Sequence, residues 1–311
     1  MNFFIYLPIA ASSVNIFLLL GLGGLVGFLS GLFGVGGGFL LTPLLIMFGI
    51  PPTVAAASDS NQIVAASASG TYAHYRLGNV DFKMGLVLLI GGVLGGTLGV
   101  QLVKVLRATG NADFVIKITY VAMLGIIGGY MFVESLQSLK KTPLTEERGP
   151  AGEKKPSFYA RLMTSLPFKI NFDKSGIHIS FIVPLLLGGL VGILAAIMGV
   201  GGGFIMVPIM VYLLRMPMHV VVGTSLFQIF FTCVNVTIMQ AHINHSVDFI
   251  LALILLVGSS CGAQIGTRIS KRLKGDQIKI LLAVIIMVVM VQMLYGLVVS
   301  PKLLLSYKGG H

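Results

Sequence analysis

The chain has 311 residues, of which 56% are hydrophobic and only 10% charged, and its mean hydropathy is +0.96. A soluble domain carries about 25% charged residues, so these charges are too few to cover a water-facing surface and a soluble globular fold is excluded. The net charge of +11 lies mainly between apolar runs, which reads as membrane topology rather than as a nucleic-acid footprint.

Apolar runs near 20 residues, the length that spans a hydrocarbon core about 30 Å thick, recur along the chain, and 40 glycines suit membrane helices. Met1 to Asn15 carries no Lys or Arg, so it lacks the positive region of a cleavable signal, and the first apolar run is expected to remain as a membrane segment. Five segments are expected near 14–33, 37–50, 54–75, 82–105 and 113–135. The second is short: residues 37–50 reach only about 20 Å as a helix, which predicts a broken or partial span. A polar stretch from Gln137 to Ser175, with Pro143, Pro150, Pro156 and eight basic residues, reads as an aqueous loop. One surface helix is expected in it over 157–166, with Phe158, Tyr159, Leu162 and Met163 on one face. Five more segments follow near 179–198, 202–214, 218–241, 247–269 and 277–299.

The second five repeat the first. Gly23-Gly24-Leu25-Val26-Gly27 returns as Gly188-Gly189-Leu190-Val191-Gly192. Gly34-Val35-Gly36-Gly37-Gly38-Phe39 returns as Gly199-Val200-Gly201-Gly202-Gly203-Phe204, and Pro43 as Pro208, all at a shift of 165 residues. Gln62-Ile63 matches Gln228-Ile229, Val80-Asp81-Phe82 matches Val247-Asp248-Phe249, and Gly91, Gly95 and Gly99 match Gly258, Gly262 and Gly266. The expected fold is an all-α integral membrane protein of about ten transmembrane segments, built as two five-segment repeats. A first membrane repeat would occupy 1–135, a basic linker 136–178 and a second membrane repeat 179–311. An odd number of crossings per unit inverts the second repeat. That arrangement gathers sixteen basic residues on one side against five on the other, whereas parallel units erase the bias. The inverted topology is therefore favoured, with the linker cytoplasmic.

Inverted repeats with discontinuous helices are a transporter plan in which the site lies where the breaks meet. The first break in each unit is the glycine-rich turn, with Gly36, Gly37 and Gly38 in one and Gly201, Gly202 and Gly203 in the other. Consecutive glycines expose backbone N–H groups, and the helix that starts there carries partial positive charge. Together these offer an anion site without a charged side chain. The alternative is that the glycines only permit close helix packing. No Gly-Lys-Ser/Thr follows, so neither turn is a phosphate loop.

The second break is polar. Ser58, Asp59, Asn61 and Gln62 lie opposite Thr224, Ser225 and Gln228. Polar groups at this depth are costly unless satisfied. They line a substrate path as donors to an oxyanion, or they bond helix to helix. Asp59 is the one acidic residue well inside an apolar segment, and it is either a proton carrier or a fixed helix cap. Gly91, Gly95, Gly99 and their partners read as small-xxx-small packing stripes. Cys233 and Cys261 lie inside apolar runs without disulfide or ligand spacing. His74, His219, His242 and His245 sit near segment ends, and no motif completes a metal set around them.

The repeated Gly-Val-Gly-Gly-Gly-Phe with Pro43 and Pro208, Thr224-Ser225-Leu226 with Gln228, and the Val-Asp-Phe and glycine-spaced helices resemble the TauE/SafE family of permeases, also called the toluene sulfonate uptake permease family. The likeness covers nearly the whole chain outside the linker. The resemblance implies a transporter, not an enzyme, in the plasma (inner) membrane of a prokaryote. It implies export of small sulfur-containing anions such as sulfite, sulfonates or sulfoacetate, with proton coupling and no cofactor. The expected partners are a small anionic substrate and the lipid bilayer, without nucleic acid, and a homo-oligomer is left open. Two other readings stand beside it. One is a divalent-metal permease using Asp59, His74, His242 and His245. The other is an intramembrane hydrolase using Ser58 or Ser60 with His74, although no Gly-x-Ser-x-Gly elbow is present.

Overall fold

The computed structural model describes residues 3–33, 37–140, 169–172, 174–270 and 275–298. Gly34 to Gly36 and the expected surface helix at 157–166 lie outside the described residues. Among those described there are two β-hairpins and ten α-helices.

Strands β1 (Phe4–Leu7) and β2 (Ser12–Asn15) form the first hairpin, with Phe4 opposite Asn15. Helix α1 (Ile16–Phe33) follows it directly. Helix α2 (Gly38–Met47) is ten residues long and contains Pro43. Helix α3 (Pro52–Arg76) starts with proline in the first helical position, where the missing N–H costs nothing. Helix α4 (Phe82–Ala108) is capped by Asp81, whose side chain accepts the Met84 N–H at 3.1 Å. Helix α5 (Ala112–Lys140) ends the first half.

Strands β3 (Lys169–Phe172) and β4 (Ile177–Ser180) form a second hairpin in register with the first at the same shift of 165 residues. Part of what reads as linker in the sequence is therefore the folded start of the second half, and the duplicated unit begins at its hairpin. Neither hairpin was expected. Helix α6 (Ile182–Met198) ends at Gly199 in the left-handed region, φ 74°. Helix α7 (Gly203–Pro208) runs into a π-helical turn over Ile209–Leu213, where the Leu214 N–H reaches back to the Ile209 carbonyl at 3.1 Å. Helices α8 (Met218–Met239), α9 (Phe249–Ser270) and α10 (Gly275–Val298) complete the chain.

Among the described residues four helices are long and apolar enough to cross a membrane: Phe82–Ala108, Ala112–Tyr130, His219–Asn244 and Phe249–Gly266. Residues 16–30, 38–47, 182–198, 203–213 and 283–298 form shorter apolar helices. Helix α3 has 25 residues, about 37 Å of rise, yet it is rich in Ala and Ser. Its first half is buried, with Ala55, Ala57, Ser58, Asp59 and Ser60 all at or below 1% exposure. A helix enclosed by others needs no lipid-facing apolar surface, so its composition departs from that of its neighbours.

The halves are interleaved. α1 packs along α9 and α4 along α6, while α3 lies on α8 and α5 on α10. Glycine stripes make the first two pairings possible. A Cβ at Gly95 would run into the Gly189 carbonyl, and one at Gly262 into the Gly24 carbonyl. Backbones this close gain dispersion contacts that larger side chains would forbid. At the centre Phe39 and Phe204, which follow the two glycine-rich turns, stack with centroids 4.6 Å apart and planes 10° apart. The short helices α2 and α7 thus meet at their first turns.

Candidate functional site

The glycine-rich turns converge as the repeat predicts. Gly37 precedes α2 in the right-handed region, φ −71°, and a Cβ there would lie 2.7 Å from Val26 Cγ1. Gly38 is buried between Asp59 Oδ2 and Val200 of the other turn. Gly201 and Gly202 both have left-handed backbones, φ 69° and 81°, which side-chain-bearing residues rarely adopt. Gly36 lies outside the described residues.

Beside these turns is a cavity of about 570 Å³ enclosed by α1, α3, the second glycine-rich turn, α8 and α9. Its inner wall includes Gln62, Ile63, Val200, Gly203 and Ser259. Gln62 Nε2 donates to Ser259 Oγ at 2.7 Å, tying α3 to α9, and Gln62 Oε1 is buried without a partner. Ser69, Ser260 and Gln264 form an exposed polar rim, with His74 half-buried beside them. No Lys, Arg, Asp or Glu lines this space among the described residues.

At the matching place in the repeat the side chains pack differently. Gln228, which matches Gln62, turns onto its own helix and donates to Thr232 Oγ1 at 3.0 Å. Gly92 stands where Ser259 stands on the cavity side, and a Cβ there would lie 2.6 Å from Thr232 Oγ1 and 2.7 Å from Gln228 Nε2. Asn235 closes the same seam from α8 by donating to Thr97 Oγ1 at 3.2 Å.

Ser58 and Thr224 do not reach the cavity. Each hydroxyl accepts a backbone N–H from the opposite half: Ser58 from Asp248 at 3.1 Å and Thr224 from Asp81 at 3.0 Å. The carboxylate of Asp248 accepts the Ile9 N–H of the first hairpin turn at 3.1 Å and caps α9 through Leu251 N–H at 3.1 Å. The carboxylate of Asp81 takes the Ser175 N–H of the second hairpin turn at 3.0 Å and the Ser175 hydroxyl. Two matched knots therefore fasten each hairpin and each central helix to the other half. Ser225 Oγ donates to the Val222 carbonyl at 3.1 Å, and Asn61 is half-buried outside the cavity lining.

Asp59 is fully buried. Its Oδ2 accepts from Thr42 Oγ1 at 2.8 Å, and its Oδ1 has no partner. Tyr120 is buried nearby and donates to the Met198 carbonyl, just ahead of the second glycine-rich turn. The residues read from the sequence thus divide in two. Gln62 and Gly203 line the cavity, while Ser58, Asp59, Thr224, Ser225 and Gln228 lie in the packed interior around it. Ser30 and Ser259 line the cavity without having been singled out. Ser259 is the one whose signal was available, as the first of the adjacent hydroxyls Ser259 and Ser260 within the apolar helix α9.

A bundle of apolar helices around a polar-walled crevice is the form of a multi-pass membrane protein. Ser60 Oγ donates to the Ala56 carbonyl at 3.1 Å and stands fourteen residues from His74 on the same helix, about 21 Å away, so the two do not form a nucleophile and base. The chain belongs to the sulfite exporter TauE/SafE family, whose profile matches residues 19–293. It is similar to the probable membrane transporter protein YunE of Bacillus subtilis (strain 168), 25% identical over 291 residues, covering 88% of this chain and 95% of the relative. The probable membrane transporter protein YjnA of the same organism is 28% identical over 277 residues, covering 89% and 97%. Sulfite exporter TauE/SafE family protein 5 of Arabidopsis thaliana is 33% identical over 93 residues, covering 30% of this chain and 21% of the relative. No solved structure matches the chain.

Proposed function

We propose that this protein is a secondary transporter that exports small sulfur-containing anions, such as sulfite, sulfonates or sulfoacetate, across the plasma (inner) membrane of a prokaryote by alternating access. The observation that carries the reading is a crevice lined by helices of both repeats, with Gln62 and Ser259 on its wall, in a chain of a membrane-transporter family. In a carrier built from repeats the site lies at their interface. In the proposed topology ten segments form two inverted repeats, 1–135 and 179–311, and the 136–178 linker is cytoplasmic, as the sixteen-to-five bias in basic residues favours. His74 and the start of the Asp81 knot then lie on the cytoplasmic side, so the open crevice faces inward.

The second glycine-rich turn and the Gln62 amide offer neutral donors to the anion, and Asp59 carries the coupled proton. The carboxyl's free oxygen, its full burial and its contact with Gly38 support that role. A divalent-metal permease has less support, because among the described residues no three of His, Cys, Asp and Glu gather into a ligand set.

The test is flux. Purified protein in proteoliposomes should give saturable transport of radiolabelled sulfite or an alkanesulfonate that an imposed pH gradient accelerates. Transport of Ni²⁺ or Co²⁺ with no anion flux would overturn the reading.

A further inference from the structure

We infer that Thr42 and Tyr120 are positioning residues that carry the protonation of Asp59 to the second glycine-rich turn, and so set the conformation of the turn that borders the cavity. The inference rests on the reading of Asp59 as the proton carrier. Four groups from four helices are strung together. The Asp59 carboxyl of α3 accepts from the Thr42 hydroxyl of α2 at 2.8 Å. The Thr42 side chain also hydrogen-bonds the Tyr120 hydroxyl of α5. Tyr120 in turn donates to the Met198 carbonyl at the end of α6. All four residues are fully buried, so bulk water does not compete for these bonds. The chain of bonds ends on the turn itself. Gly199, Gly201 and Gly202 follow Met198 with φ of 74°, 69° and 81°, and Val200 and Gly203 line the cavity.

These groups hold fewer protons than they have bonds to make, so one added proton changes the pattern. Thr42 and Tyr120 each have a single hydroxyl proton. With Asp59 ionised, Thr42 donates to the carboxylate, and the Tyr120 proton has two acceptors, the Thr42 oxygen and the Met198 carbonyl. A hydroxyl already donating to a carboxylate is polarised and accepts more strongly, so Tyr120 is drawn off Met198. With Asp59 protonated on Oδ2, the carboxyl O–H donates to Thr42, Thr42 to Tyr120, and Tyr120 to Met198. Each oxygen keeps its own proton and only the hydroxyls turn. The Met198 carbonyl is one of the last four of α6, which helix geometry leaves without an N–H, and a buried carbonyl is costly to leave bare. Protonation therefore pins the turn, and ionisation frees three glycines to move. Among the described residues the titratable groups that share the field of Asp59 are Tyr120 and, from α8, Cys233. Cys233 lies against the same turn, where a Cβ at Gly201 would come 2.7 Å from its Sγ. The repeat does not copy the device: Val207 stands where Thr42 stands and Ser225 where Asp59 stands, and Ser225 Oγ bonds the Val222 carbonyl of its own helix.

The experiment measures two fluxes in proteoliposomes of the full-length protein, with radiolabelled sulfite and radiolabelled methanesulfonate as probes. One is counterflow exchange at equal pH on both sides, and the other is uptake under an imposed pH gradient. Thr42→Val and Tyr120→Phe should each keep exchange within about twofold of wild type, the range of a change that removes no rate-determining contact, and lose the acceleration by the gradient, as Asp59→Asn does. Thr42→Ser, which keeps the hydroxyl, should keep the gradient response. A gradient response that survives Thr42→Val or Tyr120→Phe but not Asp59→Asn overturns the relay and leaves the carrier reading standing. Loss of exchange and gradient response together in Thr42→Val, without their return in Thr42→Ser, assigns the residue to packing and overturns the relay as well. A gradient response untouched by Asp59→Asn, or wild-type protein that moves neither probe, overturns the carrier reading and the relay with it.

Discussion

Replacing Asp248 with Ala tests the knots that hold the two halves together. The change removes the cap on α9, where Leu251 N–H donates at 3.1 Å, and the anchor of the first hairpin, where Ile9 N–H donates at 3.1 Å. A lost N-cap costs about 1 kcal/mol, and a hydrogen bond to a charged acceptor adds about 2 kcal/mol, so the variant should lose roughly 3 kcal/mol. Asp81→Ala removes the matching set, Met84 N–H at 3.1 Å and Ser175 N–H at 3.0 Å, and should cost about the same. The assay is reversible unfolding in mixed micelles, followed by circular dichroism as the denaturing detergent is raised. The two single losses should add within about 0.5 kcal/mol, because the knots share no residue. Ser58→Ala should be non-additive with Asp248→Ala, because the Ser58 hydroxyl serves the Asp248 N–H. An Asp248→Ala variant within about 0.5 kcal/mol of wild type, the range of an uninvolved surface change, would refute the account of the knots.

Three further outcomes follow from the site. Gly37→Val with Gly202→Val should abolish transport without removing the protein from the membrane, since a Cβ at Gly37 lies 2.7 Å from Val26 Cγ1 and Gly202 has φ 81°; flux assays and a membrane-fraction blot check it, and wild-type flux would show the turns to be dispensable. Gln62→Leu should weaken substrate binding about tenfold, the worth of one hydrogen bond, in a thermal-stabilisation titration. Asp59→Asn should leave anion exchange intact but remove the acceleration by a pH gradient in proteoliposomes, and an unchanged gradient response would assign the coupling elsewhere.

The helices were legible because lipid imposes length and glycine imposes contact. The expected segment at 54–75 folds as Pro52–Arg76 and that at 247–269 as Phe249–Ser270. Proline and capping carboxylates mark those starts in the sequence itself. The meeting of the glycine-rich turns also followed from their repetition, and the Phe39–Phe204 stack realises it. What stayed hidden depended on partners far away in the chain. The four-residue strand Phe4–Leu7 has no periodicity to read, and its turn is held by Asp248, more than two hundred residues on. For Ser58 and Thr224 the sequence leaves substrate donors and helix-to-helix bonds both open, because their backbone partners lie across the repeat. The crevice wall was hidden too, because Ser259 differs from its repeat partner Gly92 and a search for repetition passes over differences.

The pairing of α1 with α9 and of α4 with α6 bears on how the protein is made. When α1 leaves the ribosome, the carbonyls and glycines that its stripe fits have not yet been synthesised, so that face meets lipid until nearly the whole chain is inserted. A tandem duplication whose copies fold separately can stall halfway and still leave a finished domain. Here a nascent chain arrested after α5 is an open half-shell with its contact surfaces bare, and quality control in the bilayer has to judge the molecule as a whole.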